Sequence, residues 1–170
     1  MDPEPDTAAT TTARLDLLPL RAAHAEEMAA VLSDPALHAF IGGEPLTAEA
    51  LRARYERLVA GSPDPAVVWC NWVLRARPEG CLVGTVQATV EGEAAEIAWM
   101  VGTLWQGRGY AVEAARSLVP LLTGAFGVRT VVAHVHPAHH ASAAVAAAAG
   151  LSPTGTWQDG EVRWELTVRG

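Results

Sequence analysis

Residues 95–111 read Ala95-Glu96-Ile97-Ala98-Trp99-Met100-Val101-Gly102-Thr103-Leu104-Trp105-Gln106-Gly107-Arg108-Gly109-Tyr110-Ala111. The first seven predict a strand, and a glycine-rich turn follows it. Behind the turn, apolar residues at Ala111, Ala114, Ala115, Leu118, Leu122 and Ala125 recur at the spacing of a long helix face. A strand that passes through such a turn into a helix is a recurrent way to hold phosphate. The first amides of a helix have no intrahelical acceptor, and the summed peptide dipole favours an anion beside them. Glycine removes the Cβ that would keep backbone away from a ligand. Residues 106–111 are therefore a candidate phosphate cradle that needs no lysine, although the same pattern also fits a plain glycine turn capping a helix. A dinucleotide fingerprint starting at Gly107 would require a small residue where Val112 stands, and the expected strand near the amino end is missing.

Working upstream, residues 67–76 and 81–90 are rich in Val, Trp and Thr and are separated by Arg77-Pro78-Glu79-Gly80, which predicts a β-hairpin. Glu91-Gly92-Glu93 turns the chain into the 95–101 strand, so three strands form an antiparallel meander. Earlier still lie a strand at 14–20, a helix at 22–32 stopped by Asp34-Pro35, and a helix from the N-cap Thr47 to Gly61. Downstream, Pro120 predicts a kink or break in the long helix. A strand at 129–136 and a small-residue helix at 141–149, closed by Gly150, come next. Strands at 151–157 and 162–168 are joined by the hairpin dipeptide Asp159-Gly160. No internal repeat is present. The expected fold class is α/β (α+β): a mixed, mostly antiparallel sheet of about six or seven strands with about four helices. Residues 1–13, acidic and rich in Pro, Thr and Ala, are expected to be a disordered tail, and 14–170 a single domain.

Composition narrows the function. With 170 residues, half of them apolar, the chain is long enough for one domain that buries about 70% of its unfolded surface. All 12 basic side chains are arginine. Without lysine, neither a Walker-type phosphate loop nor a pyridoxal-phosphate Schiff base can be built. The same bias points to a GC-rich genome, read here as bacterial. A formal charge of −7 argues against a nucleic-acid surface and mildly favours a cationic substrate. The arginines are scattered except for Arg52, Arg54 and Arg57 on one helix. No apolar run approaches the roughly 20 residues of a membrane span, and no export signal opens the chain, so a cytoplasmic location is expected.

Cys70 and Cys81 sit in apolar strands with no CxxC and read as small buried hydrophobes. His134 and His136 share one face of a strand, with His139 and His140 close behind. No Cys or acidic residue nearby completes a zinc set, so no metal is expected. Trp69, Trp72, Trp99 and Trp105 cluster around the central strands, where core packing is their default role.

Gln106-Gly107-Arg108-Gly109-Tyr110-Ala111 resembles the Q/R-x-x-G-x-G/A motif of the GNAT superfamily of acetyl-CoA-dependent N-acetyltransferases. The strand at 95–101 resembles the one that precedes the motif in that family. His139-His140-Ala141-Ser142, followed by a helix and Gly150-Leu151, resembles its N-x-x-S … G-F segment. The likeness covers roughly residues 14–168 and is greatest to the branch, the Rim-type enzymes among them, that acetylates protein N-termini and small amines. It implies the GNAT fold, with the sheet splayed between its fourth and fifth strands (95–101 and 129–136).

In that reading the amides of Gln106, Gly107, Arg108, Gly109, Tyr110 and Ala111 bind the pyrophosphate of acetyl-CoA, the co-substrate. Pantetheine pairs along Trp99, Met100 and Val101 like an added strand, and an amide there polarises the thioester carbonyl. The acceptor is a primary amine, a protein N-terminus or a small molecule, which attacks directly in a ternary complex. An alkyl ammonium has a pKa of about 10, so a general base helps. Glu96 stands where some relatives place a catalytic glutamate; it is otherwise a solvated carboxylate near Glu91 and Glu93, and His136 is the alternative base. Glu113, one turn into the helix, reads as structural. Neither Tyr55 nor Tyr110 matches the tyrosine that protonates the departing thiolate in many relatives. Ser142 matches the serine of the N-terminus branch and would hydrogen-bond the sulfur, or else satisfy local amides. His139 stands where relatives carry asparagine, on the coenzyme side. The alternative function is a non-catalytic acyl-CoA-binding domain, favoured by His139 and the missing tyrosine and opposed by Glu96 and Ser142. The apolar surface of the last strands would suit a homodimer.

Overall fold

A computed structural model describes residues 10–39 and 44–168. The described residues form eight strands and four α-helices. The strands are β1 (Thr10–Thr11), β2 (Leu15–Pro19), β3 (Val67–Ala76), β4 (Cys81–Glu91), β5 (Ala94–Val101), β6 (Thr130–Val135), β7 (Ser152–Gln158) and β8 (Glu161–Thr167). The helices are α1 (Ala25–Val31), α2 (Ala48–Ala60), α3 (Tyr110–Phe126) and α4 (His140–Ala148). They build one mixed sheet in the order β1-β2-β3-β4-β5-β6-β8-β7, antiparallel at every junction except β5 with β6. This is the expected class with one strand more than anticipated. The extra strand falls where a loose tail was expected. Thr10 and Thr11 pair with Leu17 and Asp16, and the turn between is closed by the Thr12 amide donating to the Leu15 carbonyl at 2.8 Å. The Arg77 guanidinium, reaching across from the β3–β4 turn, donates to the Leu15, Thr12 and Ala13 carbonyls and to Asp16.

Local signals account for most boundaries. The Thr47 hydroxyl accepts the Ala50 amide at 3.1 Å and starts α2. The first helix ends before Asp34-Pro35, as expected, and the Asp34 carboxylate accepts the Ala36 amide at 2.9 Å to cap a separate 3-10 turn, Pro35–His38. The break expected at Pro120 is absent, and α3 runs through it. Pro120 and Arg116, whose carbonyl loses its helical donor, both lie on the exposed side of α3, so the freed carbonyl is not buried. Among the described residues no helix is long and apolar enough to cross a membrane.

Strand register sorts the side chains onto two faces. One row, Trp72–Val86–Trp99, and the next, Cys70–Ala88–Ile97, point toward α3 and join Tyr110, Ala114, Leu118 and Leu122 in the main core. Cys70 is fully buried, which pushes its thiol up to about 11 and leaves it inert at neutral pH. The opposite face carries α1 and α2, whose Ala25, Met28, Val31, Leu51 and Tyr55 pack on Val73 and Leu82. β4 and β5 approach so closely at Gly84 that a Cβ there would stand 2.2 Å from the Met100 carbonyl oxygen. Gly84→Ala should therefore cost about 2 kcal/mol, the scale of an overpacked core. Urea unfolding measures it, and an unchanged midpoint would mean that the two backbones part freely.

Candidate active site

The sheet opens where its two parallel strands diverge. β5 and β6 pair only at Ala94–Thr130, Ala95–Val131 and Glu96–Val132. Beyond that point β5 continues along β4 alone and β6 along β8, so each turns its other backbone edge to a widening gap. Both strands run toward the open end. The glycine turn and the start of α3 follow β5 there, and the start of α4 follows β6. Two helix N-termini therefore face the mouth of the splay, the place where a parallel pair offers a ligand most backbone donors.

The turn is shaped to leave its amides open. The first helical bond of α3 is the Glu113 amide to the Gly109 carbonyl at 3.0 Å, and the Gln106 amide is used by Thr103. Among the described residues, the amides of 108–112 meet no acceptor. Gly109 holds a left-handed φ of +82°, with no capping side chain over the helix start. The Gln106 side chain turns back and donates to the Val101 carbonyl at 3.0 Å, fixing the end of β5.

A polar clamp holds this turn in place. The Glu79 carboxylate accepts from the Tyr110 hydroxyl at 2.7 Å and from the Arg108 guanidinium at 2.9 Å. The Tyr110 bond, with Arg108 beside it, holds Glu79 below the usual carboxylate range; the same bond raises the Tyr110 phenol. On the other side, Arg14 lies over the Tyr110 ring, 4.5 Å from its centroid, and its amide and guanidinium both reach Glu113 at 2.9 Å. Burial alone would raise the Glu113 carboxyl, but hydrogen bonds from Thr12 and Arg14 outweigh it and hold it low. Glu113 is thus occupied structurally, as its position in the first turn suggests. Both arginines flanking the turn are neutralised locally, so open amides and the helix dipole are what remain for an anion.

Glu79 was readable only as a turn residue, because its partners lie about 30 positions away. Replacing it by Ala should loosen the turn and raise the dissociation constant for acetyl-CoA severalfold, measured by calorimetry. Tyr110→Phe, which removes one of the two clamp bonds, should do less; no change for either would mean that the turn is rigid without Glu79.

On the α1/α2 face, Glu96 of β5 and His134 of β6 meet across the last paired position. The His134 Nδ1 stands 2.9 Å from a Glu96 carboxylate oxygen, with Glu96 about half exposed and His134 nearly buried. The Nε2 of His134 is buried without a partner among the described residues. His136, on the same face, accepts the Ala138 amide on Nδ1 at 3.0 Å, which ties its ring to the turn that leads into α4. Trp99 is half-buried toward α3, Met100 lies on the α1/α2 face and Val101 is buried at the end of the strand. Ala111 is half-buried in the first turn of α3. His139 is the residue at which α4 starts, and burial with His136 nearby lowers its imidazole pKa. Ser142, half-buried in the first turn of α4, neither donates nor accepts a side-chain hydrogen bond among the described residues, so its hydroxyl is not spent on local amides. No group of three metal-ligating side chains occurs among the described residues.

Residues 14–152 match the family model of the acetyltransferase (GNAT) domain. Comparison with curated protein sequences gives no match. Similar solved structures include an acetyltransferase of the GNAT family from Bacillus anthracis, 18% identical with a TM-score of 0.81, covering 94% of this chain and 98% of that one. RimL, a ribosomal L7/L12 alpha-N-protein acetyltransferase in complex with coenzyme A, is 15% identical with a TM-score of 0.77, over 94% and 97%. A ribosomal-protein-S5-alanine acetyltransferase from Vibrio fischeri is 15% identical with a TM-score of 0.72, over 94% and 96%.

Proposed function

The chain belongs to the GNAT family of acetyltransferases and is an acetyl-CoA-dependent N-acetyltransferase; from that premise we propose that its acceptor is a primary amine, deprotonated by Glu96 and acetylated by direct attack within the splay. The observation that carries the reading is the placement of three things along one splay: the diverging edges of β5 and β6, the open amides of 108–112 at its mouth, and Glu96 at its closed end, the last paired position. The amides of Gly107, Arg108, Gly109, Tyr110 and Ala111 cradle the pyrophosphate, with Cβ-free Gly109 allowing close approach, whereas the Gln106 amide is already given to the Thr103 carbonyl. Along the stretch Trp99, Met100 and Val101, the backbone groups of Trp99 and the amide of Val101 lie on the free edge of β5 and pair with the pantetheine amides as a strand would, Met100 being turned to β4. An amide of that stretch, aimed at the thioester carbonyl, stabilises the developing oxyanion.

Glu96 takes the proton of the attacking ammonium, directly or through one water. His134 donates its Nδ1–H to the carboxylate and fixes its orientation, so it acts as a positioning residue. Ser142 offers its hydroxyl to the sulfur as the thiolate departs, and His139 completes the coenzyme side at the start of α4. The neighbours named as ribosomal-protein acetyltransferases support an α-amino group at a protein N-terminus beside small-molecule amines. The test is thiol release from acetyl-CoA by the purified chain against a panel of amines. Release that depends on an amine supports the reading. Tight acetyl-CoA binding with no release above background from any acceptor would overturn it.

A further inference from the structure

A cavity lies on the same face as Glu96, between the sheet and the helices α1 and α2. It holds about 600 Å³, enough for a drug-sized molecule. Its sheet side includes Ala98 and Met100, so it adjoins the stretch of β5 that borders the splay. Ala98 follows Glu96 by two residues on one strand and shares its face, roughly 7 Å along the strand. An amine presented to Glu96 would therefore extend its body into this cavity.

The cavity's chemistry is uneven. The helices contribute Leu32, Leu51 and Leu58, and the sheet contributes parts of Trp72 and Trp99. Uncharged polar side chains cross the floor in register: Asn71 opposite Gln87, which is itself opposite Ala98, with Thr85 in the neighbouring row. None of these three side chains makes a hydrogen bond among the described residues. Tyr55, also lining the cavity, has its phenol pushed up to about 12 by burial and stays a neutral donor. Among the described lining residues Glu44 is the one carboxylate, and Arg54 offsets it. The net charge of −7 is thus not gathered where the acceptor would sit.

Resting on the acetyltransferase reading above, we infer that the acceptor is a monoamine with an apolar body, not a polycation. A second or third ammonium would lose its water in this cavity without a carboxylate to meet it, which is costly. An apolar body gains from burial against the leucines. A carbonyl or hydroxyl beside the amine can take the carboxamides of Asn71 and Gln87. Both a small arylalkylamine and the end of a peptide that begins with an apolar residue satisfy this description.

Thiol release with the full chain separates the cases, using phenylethylamine, a peptide with a free leucine N-terminus, spermidine and kanamycin as acceptors. The inference expects kcat/KM for one or both of the first two to exceed that for the polycations at least tenfold. The peptide-to-phenylethylamine ratio tells which source of the chemistry is used. Leu58→Glu should lower kcat/KM for the apolar acceptors at least tenfold while leaving the acetyl-CoA dissociation constant unchanged. Gln87→Glu, at an exposed position that does not burden folding, should shift preference toward spermidine. Faster turnover of spermidine or kanamycin by the unaltered chain would overturn the inference and leave the acetyltransferase reading standing. Acetyl-CoA binding without thiol release from any of the four would remove both.

Discussion

Glu96→Gln should lower kcat by about a hundredfold at pH 7, the lower range of what a positioned general base supplies, while the acetyl-CoA dissociation constant stays as it was. The loss should shrink as pH rises, because free amine then accumulates without help. For an alkylamine that recovery centres near pH 10, for an α-amino group near pH 8, so the profile also reports which kind of amine is attacked. His134 enters the same experiment through its 2.9 Å contact with the carboxylate. His134→Phe should reduce kcat less than Glu96→Gln, and in the Glu96→Gln background it should do almost nothing, since a positioning residue has no effect once the group it positions is gone. A pH-independent loss from Glu96→Gln would assign the carboxylate to substrate positioning. Additive effects of the two changes would assign His134 a role of its own.

Glu96 and His134 illustrate where sequence reading reached and where it ended. Glu96 was a candidate through the family resemblance, because it stands on the strand before the glycine turn where some relatives place a catalytic glutamate. Its partner depends on β5 and β6 being parallel neighbours, in contact for three residue pairs before they part, and no local pattern encodes that register. The Asp159-Gly160 hairpin, the β3–β4 hairpin and the Thr47 cap were legible for the same reason in reverse: short-range steric preferences decide them. Of the two outcomes expected at Pro120, the break does not occur, because the rule for proline in a helix takes no account of which side faces water. The two-residue strand at Thr10–Thr11 exists through Arg77, more than 60 positions away, so composition alone made it a tail. The cavity floor was half visible. Thr85, Gln87 and Thr89 alternate with apolar residues along β4, the signal of one polar face, but only the pairing with Asn71 and Ala98 shows that this face lines a cavity.

Gly109→Asp should raise the dissociation constant for acetyl-CoA about a hundredfold, about 2.7 kcal/mol, the scale of placing like charges together at a binding surface. Two effects act in one direction. The new carboxylate would stand at the start of α3 beside the amides of 108–112, where it competes for the donors that the pyrophosphate needs and repels the phosphates themselves. The fold should survive the change. Aspartate tolerates a left-handed φ better than most residues, a carboxylate suits a helix N-terminus, and the nearest atom to the added Cβ is the Arg14 guanidinium, at 3.3 Å. The melting temperature should therefore fall only slightly, by the strain of a side chain at φ +82°, while affinity falls a hundredfold, and a structural role for the glycine would not separate the two in that way. Gly109→Asn supplies the same shape without the charge and should lose much less affinity, because it keeps the field of the helix intact. If the aspartate variant bound acetyl-CoA as the parent does, the diphosphate would have to lie elsewhere, and the open amides at the head of α3 would be no more than the end of a helix.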